Sequence, residues 1–370
     1  MQTTRRRFLQ SALTAGTFTL GSNLWLPQLR AQRKTQRQFM PVKVSRERLI
    51  RTVVGLRPYR SQGFVLRSDR LGEKTVIHNY GHGGAGVTLS WGVARLALEQ
   101  TRDIEYRDAA VLGCGVIGLS TARLLQRRGK TVTIYARDLP PETTSNASGA
   151  LWFPTSLHNP LQVGQPYMDQ FRLACRLSQR AFQDLVGNEY GVRWIETFDL
   201  QEEVPVGPRE IPGGAQLYPG TQIHKDARRY YGFPYVTQFS TLLIEPPVYL
   251  NALLRDYYTA GGKVSVRELR SREEIRSLPE PVIFNCTGLG ARMLFDDLEL
   301  IPVRGQLEVL LPQSEIDYCY LSDLGYMFPR RDGIILGGTF DRENWSLSAD
   351  PDQTRSMLEA HAEVMSGLRR

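Results

Sequence analysis

Two glycine-rich turns carry the chemistry open to this chain. The first is Gly113-Cys114-Gly115-Val116-Ile117-Gly118, which follows the short apolar run Ala109–Leu112 and opens a stretch of helical spacing, Leu119 to Arg128. A G-x-G-x-x-G turn between a strand and a helix predicts a dinucleotide site. Gly113 permits the tight turn, Gly115 lets the backbone approach a pyrophosphate, and Gly118 lets the helix pack on the sheet. Val116 and Ile117 lie within the turn, just ahead of that helix, whose N-terminal amides and dipole favour the phosphate. An acid about 20 residues on commonly meets a ribose hydroxyl. Here Arg137 stands at that place with Asp138 beside it, after the strand Thr131–Tyr135. Both are candidates for the ribose, and the arginine leaves a 2′-phosphate open.

The second turn lies in His78-Asn79-Tyr80-Gly81-His82-Gly83-Gly84-Ala85-Gly86-Val87-Thr88. Gly83, Gly84 and Gly86 imply that main chain comes unusually close to something there. An apolar stretch from Val87 to Leu98 reads as a helix, so this turn too sits at a helix N-terminus, a place that binds anions and polar rings. The cysteines Cys114, Cys175, Cys286 and Cys319 show no metal-ligand spacing, and no metal site is expected. Cys114 and Cys286 read as small buried residues, while a Cys175–Cys319 disulfide is compatible with an oxidising compartment but not required.

These turns need a scaffold, and the surrounding pattern supplies an α/β one. Strands are expected between Leu49 and Arg70, at Val76–His78, Ala109–Leu112, Thr131–Tyr135, within Val282–Gly288 where the strand ends in a turn, and at Ile301–Leu311 and Gly333–Phe340. Helices are expected at Val87–Gln100, Leu119–Arg128, Gln165–Leu185, Val248–Ala260 and Gln353–Met365, with short aromatic strands between 187 and 245. The formal charge of +8 does not point to nucleic acid. Residues 1–48 hold ten of the 46 Lys and Arg but one of the 38 Asp and Glu, so the remaining body is near neutral. Thr4-Arg5-Arg6-Arg7-Phe8-Leu9-Gln10 resembles a twin-arginine export motif, followed by a mildly apolar stretch to Leu26 and a weak cleavage site at Leu29-Arg30-Ala31. Residues 1–31 are therefore expected to be a signal peptide and 32–48 a linker. The implied partner is the twin-arginine export machinery and the implied location the periplasm, with the cytoplasm as the alternative.

Several motifs together resemble the D-amino-acid oxidase family. They are the run His78–Thr88, Val111 to Ala122, Thr143 to Pro154, Phe239 to Tyr249, Asn285-Cys286-Thr287-Gly288, Pro302-Val303-Arg304-Gly305-Gln306, and Leu336–Phe340 with Asn344-Trp345-Ser346. The resemblance implies a Rossmann-type FAD-binding domain, discontinuous over 72–160 and 237–292. An antiparallel-sheet substrate domain would take 49–71, 161–236 and 293–370. Segment order departs from the family. A segment like Gly55-Leu56-Arg57-Pro58 through Trp91-Gly92 closes the family's chains after a helix like Gln353–Met365, whereas here it precedes the fingerprint. The order reads as a circular permutation, with residues 101–108 as a joint that spans roughly 25 Å when extended and ends near residues 40 and 370.

The family's substrate arginine corresponds to Arg57, whose planar fork suits an amino-acid carboxylate; a structural ion pair is the bland alternative, and Arg60 is a nearby competitor. Tyr235 is implied as a second carboxylate ligand, with Tyr230 and Tyr231 open. Gly84 would present its carbonyl to the substrate amine, while Gly83, Gly86, Val87 and Thr88 face the flavin. Thr144, Ser145, Ala150 and Leu151 would line its edge, and Thr287 and Gly288 the phosphate or ribose region. His78 and His82 are read as loop structure, since hydride transfer from a neutral amine needs no side-chain base. The implied reaction oxidises a D-amino acid to its imino acid, which hydrolyses to a 2-oxo acid and ammonia while oxygen becomes hydrogen peroxide. A glycine, sarcosine or D-aspartate oxidase is the alternative, with Arg304 or His224 facing the pocket if the substrate is acidic. A nicotinamide-dependent reductase has no need of the second glycine run. The sequence leaves a homodimer open.

Overall fold

The computed structural model describes residues 39–204 and 212–368. The signal peptide read over 1–31 and the first part of the linker, 32–38, lie outside the described residues. The chain alternates between two sheets. β1 (Leu49–Tyr59) enters one; β2 (Val65–Leu71) and β3 (Lys74–Tyr80) form a hairpin in the other, followed by α1 (Gly86–Glu99). β4 (Asp108–Leu112), α2 (Val116–Arg127) and β5 (Thr131–Ala136) make one strand–helix–strand unit. Next come α3 (Gln165–Gln183), β6 (Val192–Gln201), β7 (Gln222–Lys225), α4 (Arg228–Tyr231) and β8 (Tyr235–Ile244). α5 (Pro246–Thr259), β9 (Lys263–Val266), α6 (Arg272–Arg276), β10 (Val282–Asn285) and α7 (Gly290–Leu294) return to the second sheet. β11 (Ile301–Leu310), β12 (Tyr318–Ser322), β13 (Gly325–Arg330), β14 (Gly333–Gly337), β15 (Asp341–Arg342) and α8 (Pro351–Gly367) follow.

The second sheet has the order β2-β3-β10-β4-β5-β9 and is parallel except where β2 meets β3. Its central strands β4 and β10 are nearly continuous buried runs because both faces are covered. Ile77, Val111 and Phe284 pack beneath the helices, and Val76, Ala110 and Ile283 pack against Ile275 and Leu294 on the other side. α2 stops at Gly129 (φ +73°), whose N–H donates to the Gln126 carbonyl at 2.9 Å while Lys130 N–H reaches Leu125 at 3.1 Å. At Gly92 of α1 a Cβ would lie 2.0 Å from the Ala174 carbonyl, so only glycine lets α3 come this close.

The first sheet runs β1-β11-β14-β13-β12-β6-β8-β7, antiparallel except for β12 beside β6. Side chains alternate across it. Phe198, Tyr318, Tyr320, Met327 and Leu336 face outward under Met357 and Val364 of α8. The opposite face carries Val53, Arg57, Leu307, Ile335, Tyr326 and Phe328 and turns toward the parallel sheet's strand ends.

Several expectations need correction. Residues 39–48 are no linker: Phe39 is 2% exposed, and its ring lies 4.6 Å from Phe198 and 4.9 Å from Tyr318. Tyr318 donates to the Met40 carbonyl at 2.8 Å, and Val42 N–H points at Met365 Sδ at 3.1 Å. The domain boundaries shift as well. Within 49–71, β1 belongs to the antiparallel sheet but β2 to the parallel one, and β8, placed with the FAD domain, belongs to the antiparallel sheet. α3, placed with the substrate domain, packs on α1. The strands between 187 and 245 are not all short, since β6 and β8 have ten residues each. β12 and β13 are absent from the expected strands, and both are buried by pairing with β6 and β14. All four cysteines are free and buried, so Cys175 and Cys319 do not pair.

Truncating Phe39 to Ala is expected to cost about 3–5 kcal/mol in chemical denaturation; a loss below about 1 kcal/mol would show that this segment is not part of the core.

Candidate active site

A cavity of ≈ 1570 Å³ lies between the carboxyl ends of β3, β10, β4 and β5 and the inner face of the antiparallel sheet. Ligands bind at that position in open α/β sheets. It exceeds the roughly 300–1,000 Å³ of an ordinary small-molecule pocket, so an extended cofactor and a second small molecule fit together.

One end is the fingerprint turn. Gly113 has φ +101°, and a Cβ there would sit 2.6 Å from the Cys286 carbonyl, so β4 and β10 leave their sheet with main chain against main chain. Gly113, Gly115, Val116 and Ile117 line the cavity. Gly118 does not; a Cβ there would lie 2.0 Å from the Gly113 carbonyl, so its part is helix–turn packing, not ligand contact. The loop carrying Thr144 and Ser145 crosses this turn, and Val116 N–H donates to Ser145 Oγ at 3.0 Å. Arg137 and Asp138 line the far end as a pair, with Nη2 to Oδ2 at 2.8 Å.

The middle is built from the second glycine run. Gly83 (φ +51°) has the Ser156 carbonyl where a Cβ would be, at 2.3 Å, and Gly84 N–H donates to that same carbonyl at 3.0 Å. Gly83, Gly84, Gly86, Val87 and Thr88 line the wall at the α1 N-terminus. Trp152 fixes this helix start by donating Nε1–H to the Thr88 carbonyl at 3.1 Å. Ala150 and Leu151 face the same space, stitched to β8 by Ile244 N–H to Ala150 O at 3.0 Å. Thr287 and Gly288, leaving β10, complete this wall. Asn79 is fully buried and lines the cavity, and both its side-chain amide atoms are without a hydrogen-bond partner among the described residues. An orphaned buried amide of this kind costs about 1–3 kcal/mol unless a ligand or water satisfies it. Glycine cradle, helix N-terminus and orphaned amide together fit FAD.

The third wall is the inner face of the antiparallel sheet. Arg57 projects from β1 and lies flat across Gly305, whose Cβ would fall 2.3 Å from Nη2. Its Nη1 donates to the Thr339 carbonyl at 3.1 Å, and its guanidinium stands 5.7 Å from the Phe340 ring centre. Among the described residues no carboxylate pairs with it. Arg60, by contrast, is held by Asp297 at 2.9 Å and Glu299 at 2.5 Å, a structural role. Tyr326, from β13, stands on the same face and stacks on Phe328 at 4.7 Å. Sequence reasoning missed it because β13 itself was missed; the usable signal was an aromatic alternation, Tyr326 and Phe328.

Tyr235 is misplaced by the sequence reading. It opens β8 opposite Gln201 and Lys225, whereas the cavity end of β8 is at Leu243, which bridges Leu151. Eight residues of strand separate them, roughly 26 Å. Tyr230 is exposed and Tyr231 packs in the outer core, so neither reaches the cavity. Arg304 is 2% exposed and engaged by Asp341 at 3.2 Å and Gln353 at 2.7 Å, and His224 lies against Gln238; neither lines the cavity. Burial pulls His82 down to about 3, with its ring stacked on Phe64, and His78 down to about 4, so both are neutral near pH 7.

Comparison with known proteins agrees with this geometry. The profile of the FAD dependent oxidoreductase family (DAO) matches residues 19–100 and 108–370. A D-amino-acid oxidase of Streptomyces coelicolor is 33% identical over 269 residues, covering 70% of this chain and 78% of that protein. A D-amino-acid oxidase of Rubrobacter xylanophilus is 32% identical over the same length and shares. Among solved structures, glycine oxidase from Geobacillus kaustophilus superposes with a TM-score of 0.52 at 17% identity, over 71% of this chain and 80% of that one. The chain belongs to the family of FAD-dependent oxidoreductases that includes the D-amino-acid oxidases.

Proposed function

We propose that the protein oxidises neutral D-amino acids, and that the observation carrying this reading is Arg57: a guanidinium inside the cofactor cavity with no carboxylate partner among the described residues. A substrate carboxylate supplies the missing partner bidentately. The Tyr326 hydroxyl lines the same face of the cavity and is the side chain we assign to assist it. Gly84 would take the amine, which holds the α-carbon between the glycine run and the arginine. Side chains of Phe340, Phe328 and Leu307 give the remaining wall an apolar character; Arg304 and His224 are engaged elsewhere, and Arg51 and Arg330, which also line the cavity, are both held by Asp332, which favours a substrate with a single carboxylate. FAD, when bound, would supply the hydride-accepting redox chemistry, with oxygen as the final acceptor and hydrogen peroxide as its product. The α1 N-terminus offers its positive dipole where negative charge develops. Neither histidine is needed as a base once the amine is neutral. Arg57→Ala is expected to raise KM for D-alanine or D-phenylalanine about 30- to 4,000-fold in a peroxide assay, from the roughly 2–5 kcal/mol of a broken charge pair. Unchanged kinetics would move the carboxylate site elsewhere.

The segment order is read as a circular permutation. Three observations support it. The family profile matches in two pieces that leave out 101–107, single relatives align over about 70% of the chain, and Val42 meets Met365 where the two described ends share one cluster. A variant in which residues 40–100 are moved behind residue 370 through a short linker is expected to fold and take up FAD; failure of that variant to bind FAD would count against the reading. Residues 1–31 are read as a twin-arginine signal to the periplasm, on the Arg5-Arg6 motif and the early excess of basic residues. Replacing Arg5, Arg6 and Arg7 by Lys is expected to leave the protein in the cytoplasm, and undiminished export would remove this route.

A further inference from the structure

Asp69, His78, Asn285 and Thr287 form a hydrogen-bonded chain from the open edge of the parallel sheet to the cavity. His78 Nε2 lies 3.2 Å from Asp69 Oδ2, Asn285 Nδ2 lies 3.0 Å from His78 Nδ1, and Thr287 Oγ1 lies 2.7 Å from Asn285 Oδ1. Strand order creates the links: β2, β3 and β10 are neighbours, with Arg67 opposite His78 and His78 opposite Asn285. Asp69 is 46% exposed and His78 only 2%, so the chain runs from water into the interior.

Its polarity is determined at the wet end. A carboxylate only accepts hydrogen bonds, so His78 carries its proton on Nε2 and donates it in a hydrogen bond to Asp69. Burial disfavours a second proton on that ring, Arg67 and Arg272 add to this, and the Asp69 charge opposes it. The edges and faces of Tyr80 and Phe295 enclose the ring. Neutral imidazole therefore presents Nδ1 as an acceptor. Asn285 must turn its Nδ2 to the histidine and its Oδ1 to Thr287, from which it receives both the hydroxyl proton and, at 3.3 Å, the backbone N–H. A threonine hydroxyl has one proton. With that proton committed, Oγ1 can only accept from whatever stands in the cavity.

We infer that the Asp69–His78–Asn285–Thr287 chain sets Thr287 Oγ1 as an obligatory acceptor, so that it selects a ribityl or ribose hydroxyl of the cofactor and rejects a phosphate oxygen. The inference rests on the FAD reading and deepens it. The phosphates, which accept only, fall to the main-chain amides of the 113–118 turn. Thr287 contacts the cofactor; Asp69, His78 and Asn285 are positioning residues that act through it.

The test uses the full chain, with FAD affinity from quenching of flavin fluorescence and the His78 tautomer from nitrogen NMR. His78 is expected in the Nε2–H form. Thr287→Val is expected to weaken FAD about tenfold, the effect of one hydrogen bond, and Thr287→Ser to restore it. Among FAD analogues each lacking one ribityl or ribose hydroxyl, one is expected to bind wild type and Thr287→Val equally. Asp69→Lys, a donor at an exposed edge position, is expected to drive His78 to the Nδ1–H form and weaken FAD severalfold. A wild-type His78 protonated at Nδ1, an unchanged affinity in Thr287→Val, or no analogue that levels the two proteins overturns the inference. A wild-type chain that stays colourless with FAD overturns the functional reading beneath it, an outcome visible before any variant is made.

Discussion

Close passage of main chain by main chain is the constraint on which the site depends. β3, β10 and β4 end side by side, and the turns that leave them have no room for a Cβ at Gly83 or Gly113. The missing side chains do two things at once. They let the turns pack against the carbonyls of Ser156 and Cys286, and they leave backbone amides, not side chains, at the surface of the cavity. Two helices, α1 and α2, begin at these turns, so both N-terminal dipoles point into one space.

The antiparallel sheet supplies what main chain cannot, a fixed side-chain charge. Arg57 can lie flat because Gly305, two residues along the neighbouring strand from its pairing partner Val303, offers no Cβ, and Gly337 gives Tyr326 the same clearance. A guanidinium held against glycine, with one backbone carbonyl and an aromatic face for company, keeps most of its donors for a ligand. Arg60, three residues on, shows the opposite outcome. The same side chain between Asp297 and Glu299 is neutralised and unavailable.

Much of the scaffold was legible because local pattern and burial agree. The unit β4–α2–β5 appears where glycine spacing, apolar runs and the Gly129 stop all point the same way, and α8 runs over Pro351–Gly367 where Gln353–Met365 was expected. Reading failed where burial comes from distant partners. Phe39 looks like linker in a basic, polar stretch, and only contact with Phe198 and Tyr318 makes it core. Tyr235 has the right residue type and sits at the wrong end of a ten-residue strand, because register along β8, not composition, sets which end meets the cavity.

The sequence by itself determined the cofactor class and the identities of the turn residues, since glycine at a strand–helix turn answers a steric demand that is local in the chain. It also carried Arg57 as a residue, though not its freedom from a carboxylate. Tertiary structure alone decided which polar groups remain unpartnered. Arg57 and Asn79 come from strands of different sheets, and whether each is satisfied depends on neighbours brought in by tertiary packing. A hydrogen bond's direction is likewise invisible in one dimension, because it is inherited along a chain of contacts that begins at Asp69, on a different strand from the threonine it orients.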